Sequence, residues 1–451
     1  MRTQDFDLIV LGVGMAAVSA ANKCAAAGWS IAVVDELPYG GTCALRGCDP
    51  KKMLRRGAEI IDAARLMQGK GILGDLAIDW ADLVAFKRTF TEAMPGKIEG
   101  GLDANGVATF HGSARFVGEN MIEIDGKARL QAGHILIATG SKPRPIDVPG
   151  AGHLTDSTDF MELEALPGRI LFVGGGFISF EFAHIAARAG SEVCIIDRGA
   201  RPLKGFDPDL VEKLAGRSRE AGIELRRETA LKSIEPGDGG FAVHVETDGW
   251  PQTLRADLVV HGAGRVPAID QLDLPAAGVE ATASGIAVDE YLQSRSNPGI
   301  YAAGDAADTQ GPPLTPVAVF EGKVAASNML KGNHATPDYR GIPSVVFTIP
   351  ELARIGMLEG EAGEAGRSVR VAYNDTGGWY SNMRVGESCA AAKIIIDEKT
   401  GEILGAHLLG PEYAELVNIF SLAMRLGLTA ADIKKMVAAY PSVGSDLGSM
   451  L

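Results

Sequence analysis

A strand, a glycine turn, a helix and a second strand ending on aspartate occur in this order twice along the chain. The first copy starts with a strand over 6–11 that runs into G12-V-G14-M-A-A17. A helix over about 16–27 and a strand over 30–34 follow, and Asp35 stands 23 residues after Gly12. The second copy has a strand over 170–173, the turn G174-G-G176-F-I-S179, a helix to 189, a strand over 192–196, and Asp197. Glycines here permit a tight turn and let a pyrophosphate approach the N-terminus of the helix, while the strand-end acid accepts hydrogen bonds from a ribose. A lone glycine motif is weak evidence and can be a plain strand-to-helix turn. The strand before, the helix after and the acid at the right distance strengthen it. The duplication predicts an α/β chain with two doubly wound, Rossmann-like nucleotide-binding domains.

A length of 451 residues fits two to four domains. Beyond Pro343 the texture changes to short β-like runs at 344–348, 368–372, 391–396 and 402–408, then helical stretches over 413–426 and 430–438. That reads as a C-terminal α+β domain. Proline- and glycine-rich stretches at 142–152 and 310–316 mark linkers, the latter leading into a helix near Thr315. The net charge of −14 and the lack of a basic stripe exclude a nucleic-acid partner. No run of about 20 apolar residues predicts a membrane span. The polar opening has no signal-peptide pattern, and a cytoplasmic location is expected.

Five cysteines are spread thinly. Cys24, Cys194 and Cys389 have small or apolar neighbours and read as inert thiols. Cys43 and Cys48 differ. They lie in G-G-T-C-A-L-R-G-C-D-P-K-K, with four residues between them, in a stretch bracketed by glycines. The spacing fits a disulfide over a very small loop, which gives little entropic stabilisation and suits a redox device better than a staple. Half of a metal site is the alternative, but no second cysteine or histidine pair stands at ligand spacing. Pro50 and Lys51 suggest a helix starting just after Cys48, whose N-terminus would stabilise a thiolate.

This cysteine segment resembles the redox signature of the class I pyridine nucleotide-disulfide oxidoreductases, which include glutathione reductase, dihydrolipoamide dehydrogenase and mercuric reductase. Both glycine motifs, I135-L-I-A-T-G140, G-A-G-R-V-P from Gly262 and I300-Y-A-A-G-D305 extend the resemblance over essentially the whole chain. The resemblance implies a homodimer with its active site at the interface. It implies an FAD-binding domain over 1–150 resuming over 265–335, an NAD(P)H-binding domain over 151–264 and a dimerisation domain over 336–451. FAD would be held by Gly12, Gly14, Asp35, Thr42, Lys51, Ala114, Thr139, Gly140, Gly264 and Asp305. The nicotinamide cofactor would meet Ser157, Gly174, Gly176, Phe177, Ile178, Glu181, Asp197, Arg198 and Lys204. Hydride would pass from NAD(P)H to FAD and on to a Cys43–Cys48 disulfide, with Cys48 facing the flavin and Cys43 facing substrate. Lys51 and Glu181 match the family's ion pair near flavin N5, and Phe177 matches its nicotinamide lid.

The chain departs from the family at its far end. Tyr440 stands where disulfide-reducing members carry the acid-base histidine, and Ser445 where they carry its glutamate; no histidine follows His407. Tyrosine is a poor base at neutral pH, so Tyr440 either donates a proton at Cys43 or only fills space. Asp446 is a possible substitute carboxylate. Asn22 and Met15 replace groups that meet glutathione, and D446-L-G-S-M-L451 has no cysteine pair of the mercuric-reductase kind. Asp197 favours NADH and Arg198, with Arg201 and Lys204 nearby, favours NADPH; the balance tilts slightly to NADPH. The expected function is glutathione-reductase-like: NAD(P)H-dependent reduction of a small disulfide or similar electrophile. The alternatives are a dihydrolipoamide dehydrogenase, a mercuric-reductase relative or a flavoprotein redox sensor. The aromatic pair in T376-G-G-W-Y-S-N-M-R384 is expected at the subunit interface.

Overall fold

The structure is a computed structural model that describes residues 2–451. The chain divides into two compact units. One comprises residues up to Met53 with Ala85–Arg144 and Gly264–Tyr339; the other comprises Leu54–Val84, Pro145–Ala263 and Arg340–Leu451.

A seven-stranded sheet organises the first unit. Its path runs Ala108–His111, Ile31–Asp35, Thr3–Leu11, Ala128–Ile137, Met121–Ile124, Ala114–Gly118, with Ile300–Ala302 also paired to Ala128–Ile137. The strands beside Thr3–Leu11 are parallel to it, and Leu8 to Leu11 are fully or almost fully buried. Such apolar runs are what a parallel strand covered on both faces requires. The helix Met15–Ala25 turns Ala16, Ala17, Ala20, Ala21 and Cys24 inward, and these small residues let the helix Thr315–Lys331 approach closely. The contact is tight enough that a Cβ on Gly322 would lie 2.7 Å from Ser19 Oγ, whose hydroxyl donates to the Val319 carbonyl at 3.2 Å.

The second unit carries a parallel four-stranded sheet in the order Ile223–Arg226, Glu192–Ile196, Arg169–Val173, Leu258–His261. An antiparallel meander of Thr229–Gly237, Gly240–Thr247 and Trp250–Ala256 is inserted in the chain between the strands Ile223–Arg226 and Leu258–His261. Its third sheet is antiparallel, in the order Ser344–Val346, Glu351–Gly356, Ile403–Gly410, Ala391–Asp397, Val369–Asp375. The helix Tyr413–Arg425 covers that sheet with Leu416, Val417 and Phe420. Buried Lys393 ties it to the helix Pro208–Glu220 by ion pairs to Asp207 at 2.9 Å and Asp209 at 2.5 Å.

Both glycine-motif units form as the periodicity predicts, with helices over Met15–Ala25 and Phe177–Arg188. Two readings need correction. The expected helix over 430–438 stops at Ile433, and residues 436–439 are irregular. The run Met436–Val437 has no core partner within the chain, Val437 being 97% exposed, and Pro441 disfavours a helical Tyr440. The strand Glu351–Gly356 was not expected. It is central in the third sheet, but its short stretch carries Glu351 and Arg354 among the apolar positions, which hides the alternation.

Candidate active site

In the first unit the glycine turn is built for close approach. Gly12 has φ of 95°, and a Cβ there would lie 2.5 Å from the Ala138 carbonyl oxygen. Gly14 caps the helix Met15–Ala25 with no side chain bonded across its first amides. Asp35 closes the motif. Its carboxylate accepts the Val13 N–H at 2.7 Å and the Leu37 N–H at 3.0 Å, while burial pushes its pKa up. A second glycine pair, Gly40 and Gly41, packs against the first loop, and a Cβ on Gly41 would lie 2.6 Å from the Gly14 Cα.

That second loop delivers the cysteines. Thr42 to Arg46 form one wide π-helical turn, Gly47 breaks it, and the helix Cys48–Leu66 begins on Cys48 itself. The expected helix start is therefore present, one residue earlier, with Cys48 in its first turn. Cys43 is half-buried and Cys48 exposed. The two side chains are hydrogen-bonded, and that bond, followed by burial, holds the Cys43 proton well above the usual thiol range. The Thr315 hydroxyl works against this shift by bonding Cys43, and it also lies 3.8 Å from Cys48 Sγ. Sequence reasoning missed Thr315 as a site residue. Its signal was the three-proline stretch leading into a helix that starts there, with no side-chain cap at Leu314.

Other expected residues gather in the same unit. Asp305 accepts a hydrogen bond from Ser141 Oγ at 2.8 Å, and Arg265 holds Ser141 through its hydroxyl at 2.9 Å and its carbonyl at 2.5 Å. Behind Asp305, buried Glu321 accepts the Gly304 N–H at 2.7 Å and the hydroxyls of Thr309 and Tyr339. Ser141, Arg265 and Glu321 were also missed. The Thr139 hydroxyl is buried without a hydrogen-bond partner, Gly140 is left-handed, and so is Gly264, whose carbonyl accepts the Arg144 N–H at 3.0 Å. Ala114 opens its strand opposite Ile124, Thr42 is exposed, and Lys51 is buried. Two closely packed glycine turns that leave no room for a Cβ, an open helix N-terminus and an orphaned Thr139 hydroxyl fit a dinucleotide such as FAD.

In the second unit Gly174 has φ of 104°, and a Cβ there would lie 2.7 Å from the Gly262 carbonyl oxygen. Gly176 caps the helix Phe177–Arg188 without a side-chain bond, and the hydroxyl of buried Ser179 has no partner. This donor set fits a second dinucleotide. Asp197 accepts the Gly199 N–H at 3.3 Å, Arg198 and Lys204 are exposed, and Arg201 donates to the Lys204 carbonyl at 3.3 Å. Phe177 is 48% exposed at the helix start, with Ile178 buried beside it. Glu181, one turn on, is buried and accepts the Phe347 N–H at 2.9 Å. Ser157 opens a short helix capped by Asp156.

Tyr440 is 79% exposed on the same surface stretch as Val437. Asp446 is bonded to Ser381, and Trp379 packs on the third-sheet core while Tyr380 stays exposed. The remaining cysteines behave as inert thiols: burial pushes Cys24 up to about 11 and Cys194 and Cys389 up to about 12, although Cys194 is only half-buried. Among the described residues no cluster of three or more His, Cys, Asp or Glu side chains could hold a metal, and no helix is long and apolar enough to cross a membrane.

Comparison with known proteins agrees with this geometry. Residues 6–322 match the family described as pyridine nucleotide-disulphide oxidoreductase, and residues 342–450 match its dimerisation domain. The chain is 33% identical to a mercuric reductase of Bacillus cereus over 449 residues, covering 98% of this chain and 70% of that one. It is 31% identical to a glutathione reductase of Burkholderia cepacia over 452 residues, covering 99% and 98%. It is 32% identical to a dihydrolipoyl dehydrogenase of Bacillus subtilis over 447 residues, covering 97% and 94%. Among solved structures, the Cu(II) complex of the HOCl-induced flavoprotein disulfide reductase RclA from Escherichia coli superimposes with a TM-score of 0.89 at 25% identity, over 99% of each chain.

Proposed function

The chain belongs to the pyridine nucleotide-disulphide oxidoreductase family, and from that premise we propose that Cys43 and Cys48 are the pair through which it reduces a small electrophilic acceptor. It is an FAD-dependent, homodimeric oxidoreductase acting on a sulfur group. The observation that carries the assignment of the pair is the hydrogen bond between the two thiols, with the Thr315 hydroxyl beside both. FAD, when bound, supplies a two-electron relay between the nicotinamide and the cysteine pair. Gly12, Gly14, Asp35, Thr42, Lys51, Ala114, Thr139, Gly140, Gly264 and Asp305 hold it in this reading, and Ser157, Gly174, Gly176, Phe177, Ile178, Glu181, Asp197, Arg198 and Lys204 hold the nicotinamide cofactor. The division follows an FAD domain over 1–150 and 265–335, a nicotinamide domain over 151–264 and a dimerisation domain over 336–451.

With a disulfide RSSR as acceptor, the Cys43 thiolate attacks one sulfur and releases RS⁻. Cys48 then attacks the Cys43 sulfur, releases the second RS⁻ and restores the Cys43–Cys48 disulfide. Over one cycle NAD(P)H, a proton and RSSR become NAD(P)⁺ and two RSH. Two proton transfers fall to the chain: removal of the Cys43 proton and protonation of the leaving thiolate. Thr315 eases the first by bonding Cys43. The Tyr440 hydroxyl of the partner subunit serves the second, supported by its exposure and by its place where relatives carry the acid-base histidine. Arg198 supports NADPH over NADH, its guanidinium being free to bind a 2′-phosphate at the end of the strand Glu192–Ile196. A cytoplasmic location suits a pair that cycles through free thiols.

Similarity to a mercuric reductase and to a flavoprotein disulfide reductase solved as a Cu(II) complex supports a second reading, in which the acceptor is a thiophilic metal ion. Reduction of two Cu(II) to Cu(I), or of Hg(II) to Hg(0), by NAD(P)H releases a proton and leaves no thiolate to protonate. Steady-state assays with glutathione disulfide, lipoamide, Cu(II) and Hg(II), each with both nicotinamides and with Tyr440→Phe, separate the readings. A disulfide reductase uses NADPH with a disulfide and slows about fivefold in Tyr440→Phe, the worth of about 1 kcal/mol of hydrogen bonding. Turnover of metal ions alone, indifferent to Tyr440→Phe, selects the second reading. Turnover with none of the four in Cys43→Ser and wild type alike defeats both.

A further inference from the structure

In the second unit five polar backbone groups of residues 347–349 are bonded by side chains instead of by a neighbouring strand. The strand Ser344–Val346 has ended, so the ladder no longer serves them. The Phe347 N–H donates to Glu181 Oε1 at 2.9 Å, and the Phe347 carbonyl accepts from Arg55 Nε at 2.9 Å. Arg55 Nη2 also reaches the Thr348 carbonyl at 2.9 Å. The Ile349 N–H donates to His184 Nδ1 at 3.1 Å, and its carbonyl accepts from Arg188 Nη2 at 3.2 Å. Glu181, His184 and Arg188 stand at i, i+3 and i+7 on the helix Phe177–Arg188, so one face of that helix grips this segment. All four side chains are buried.

Each is fixed in turn from behind. Arg55 pairs with Glu59 and Glu351, and the Phe347 ring lies 5.6 Å beneath its guanidinium. Ser218 gives its proton to the Leu214 carbonyl, so His184 Nε2 must donate to Ser218 Oγ at 2.9 Å. That leaves Nδ1 as an acceptor for the Ile349 N–H, the neutral tautomer that full burial beside Arg188 and Arg217 demands. Arg188 is anchored by Asp62 at 2.7 Å.

We propose that Arg55, His184 and Arg188 are positioning residues that set the Glu181 carboxylate through the backbone of residues 347–349. The inference rests on the reading that Glu181 serves the nicotinamide half-reaction. Phe177 and Glu181 share a face of the helix four residues apart, so a splint on the Glu181 turn also fixes where Phe177 projects. Catalytic geometry tolerates little looseness, and a misplacement of about 1 Å can cost as much as about 100-fold.

The test uses the FAD-loaded enzyme and the variants Arg55→Lys, Glu181→Gln and their combination. Lysine keeps a charge for Glu351 but lacks the fork that spans the Phe347 and Thr348 carbonyls. Anaerobic stopped-flow mixing with NADPH should show Arg55→Lys slowed about tenfold with little change in the NADPH concentration for half-saturation. In the Glu181→Gln background the same change should have no further effect, which a general loss of structure would not reproduce. Amide hydrogen exchange, read without any turnover, should quicken about tenfold at Phe347 and Ile349. His184→Gln, which retains an acceptor for Ile349, is the second variant should Arg55→Lys not accumulate, with a milder effect of the same pattern. Additive slowing in the double variant, or unchanged reduction with faster exchange, overturns the positioning role alone. A wild-type reduction rate in Glu181→Gln overturns the Glu181 reading and this proposal with it.

Discussion

Thr315→Val tests how the structure handles the proton on Cys43. The substitution is nearly isosteric and removes the hydroxyl that bonds Cys43 and lies 3.8 Å from Cys48 Sγ. A hydrogen bond to a charged group contributes about 1.5–3 kcal/mol when short and buried. Cys43 is only half-buried, so about 1 kcal/mol is the appropriate figure. One pKa unit corresponds to about 1.4 kcal/mol, so the Cys43 thiol should rise by about 0.7 units. Thr315 favours the thiolate, so its loss shifts ionisation to higher pH and never to lower. The assay is alkylation of the reduced enzyme with iodoacetamide across pH, with Cys43 and Cys48 resolved by peptide mass spectrometry. At a fixed pH below the midpoint, Cys43 should react about fivefold more slowly in Thr315→Val. An unchanged profile, or a shift to lower pH, refutes the reasoning.

Gly12→Ala should abolish FAD retention, because left-handed backbone and a Cβ at 2.5 Å from the Ala138 carbonyl coincide there; the ratio of flavin to protein absorbance after purification checks it. Arg198→Ala should raise the KM for NADPH about tenfold and leave that for NADH unchanged, measured in steady state with both cofactors. His184 contributes a pH dependence of stability. Its folded pKa lies well below 6.5, so the unfolded chain takes up a proton first as pH falls; its contribution is complete above about pH 6.5 and is lost below it at up to about 1.4 kcal/mol per pH unit. The Tm difference between pH 7 and pH 5.5 should therefore shrink in His184→Gln.

Much of this was legible in the sequence because it is local. Gly12, Gly14 and Asp35 sit within one strand-turn-helix-strand stretch, and the same holds for Gly174, Gly176 and Asp197, so spacing alone orders them. Cys43 and Cys48 advertise themselves for the same reason. What stayed hidden is what the fold brings together from afar. Thr315 reaches Cys48 across 267 positions of chain, and Arg265 and Ser141 meet across 124 to hold Asp305. The grip on residues 347–349 draws on Arg55 and on one face of a helix that looks merely polar in sequence. The helix expected over 430–438 ends at Ile433, because the apolar pair Met436–Val437 beyond it is exposed and gives a helix no packed face.

The central claim is that electrons from the nicotinamide arrive at Cys43 and Cys48. Anaerobic titration of the oxidised, FAD-loaded enzyme with NADPH, followed by thiol labelling and peptide mass spectrometry, tests it most directly. Labels should appear on Cys43 and Cys48 together, two per subunit at one equivalent of NADPH, with Cys24, Cys194 and Cys389 unchanged. Full reduction of the flavin with no new label on Cys43 and Cys48 would contradict the account.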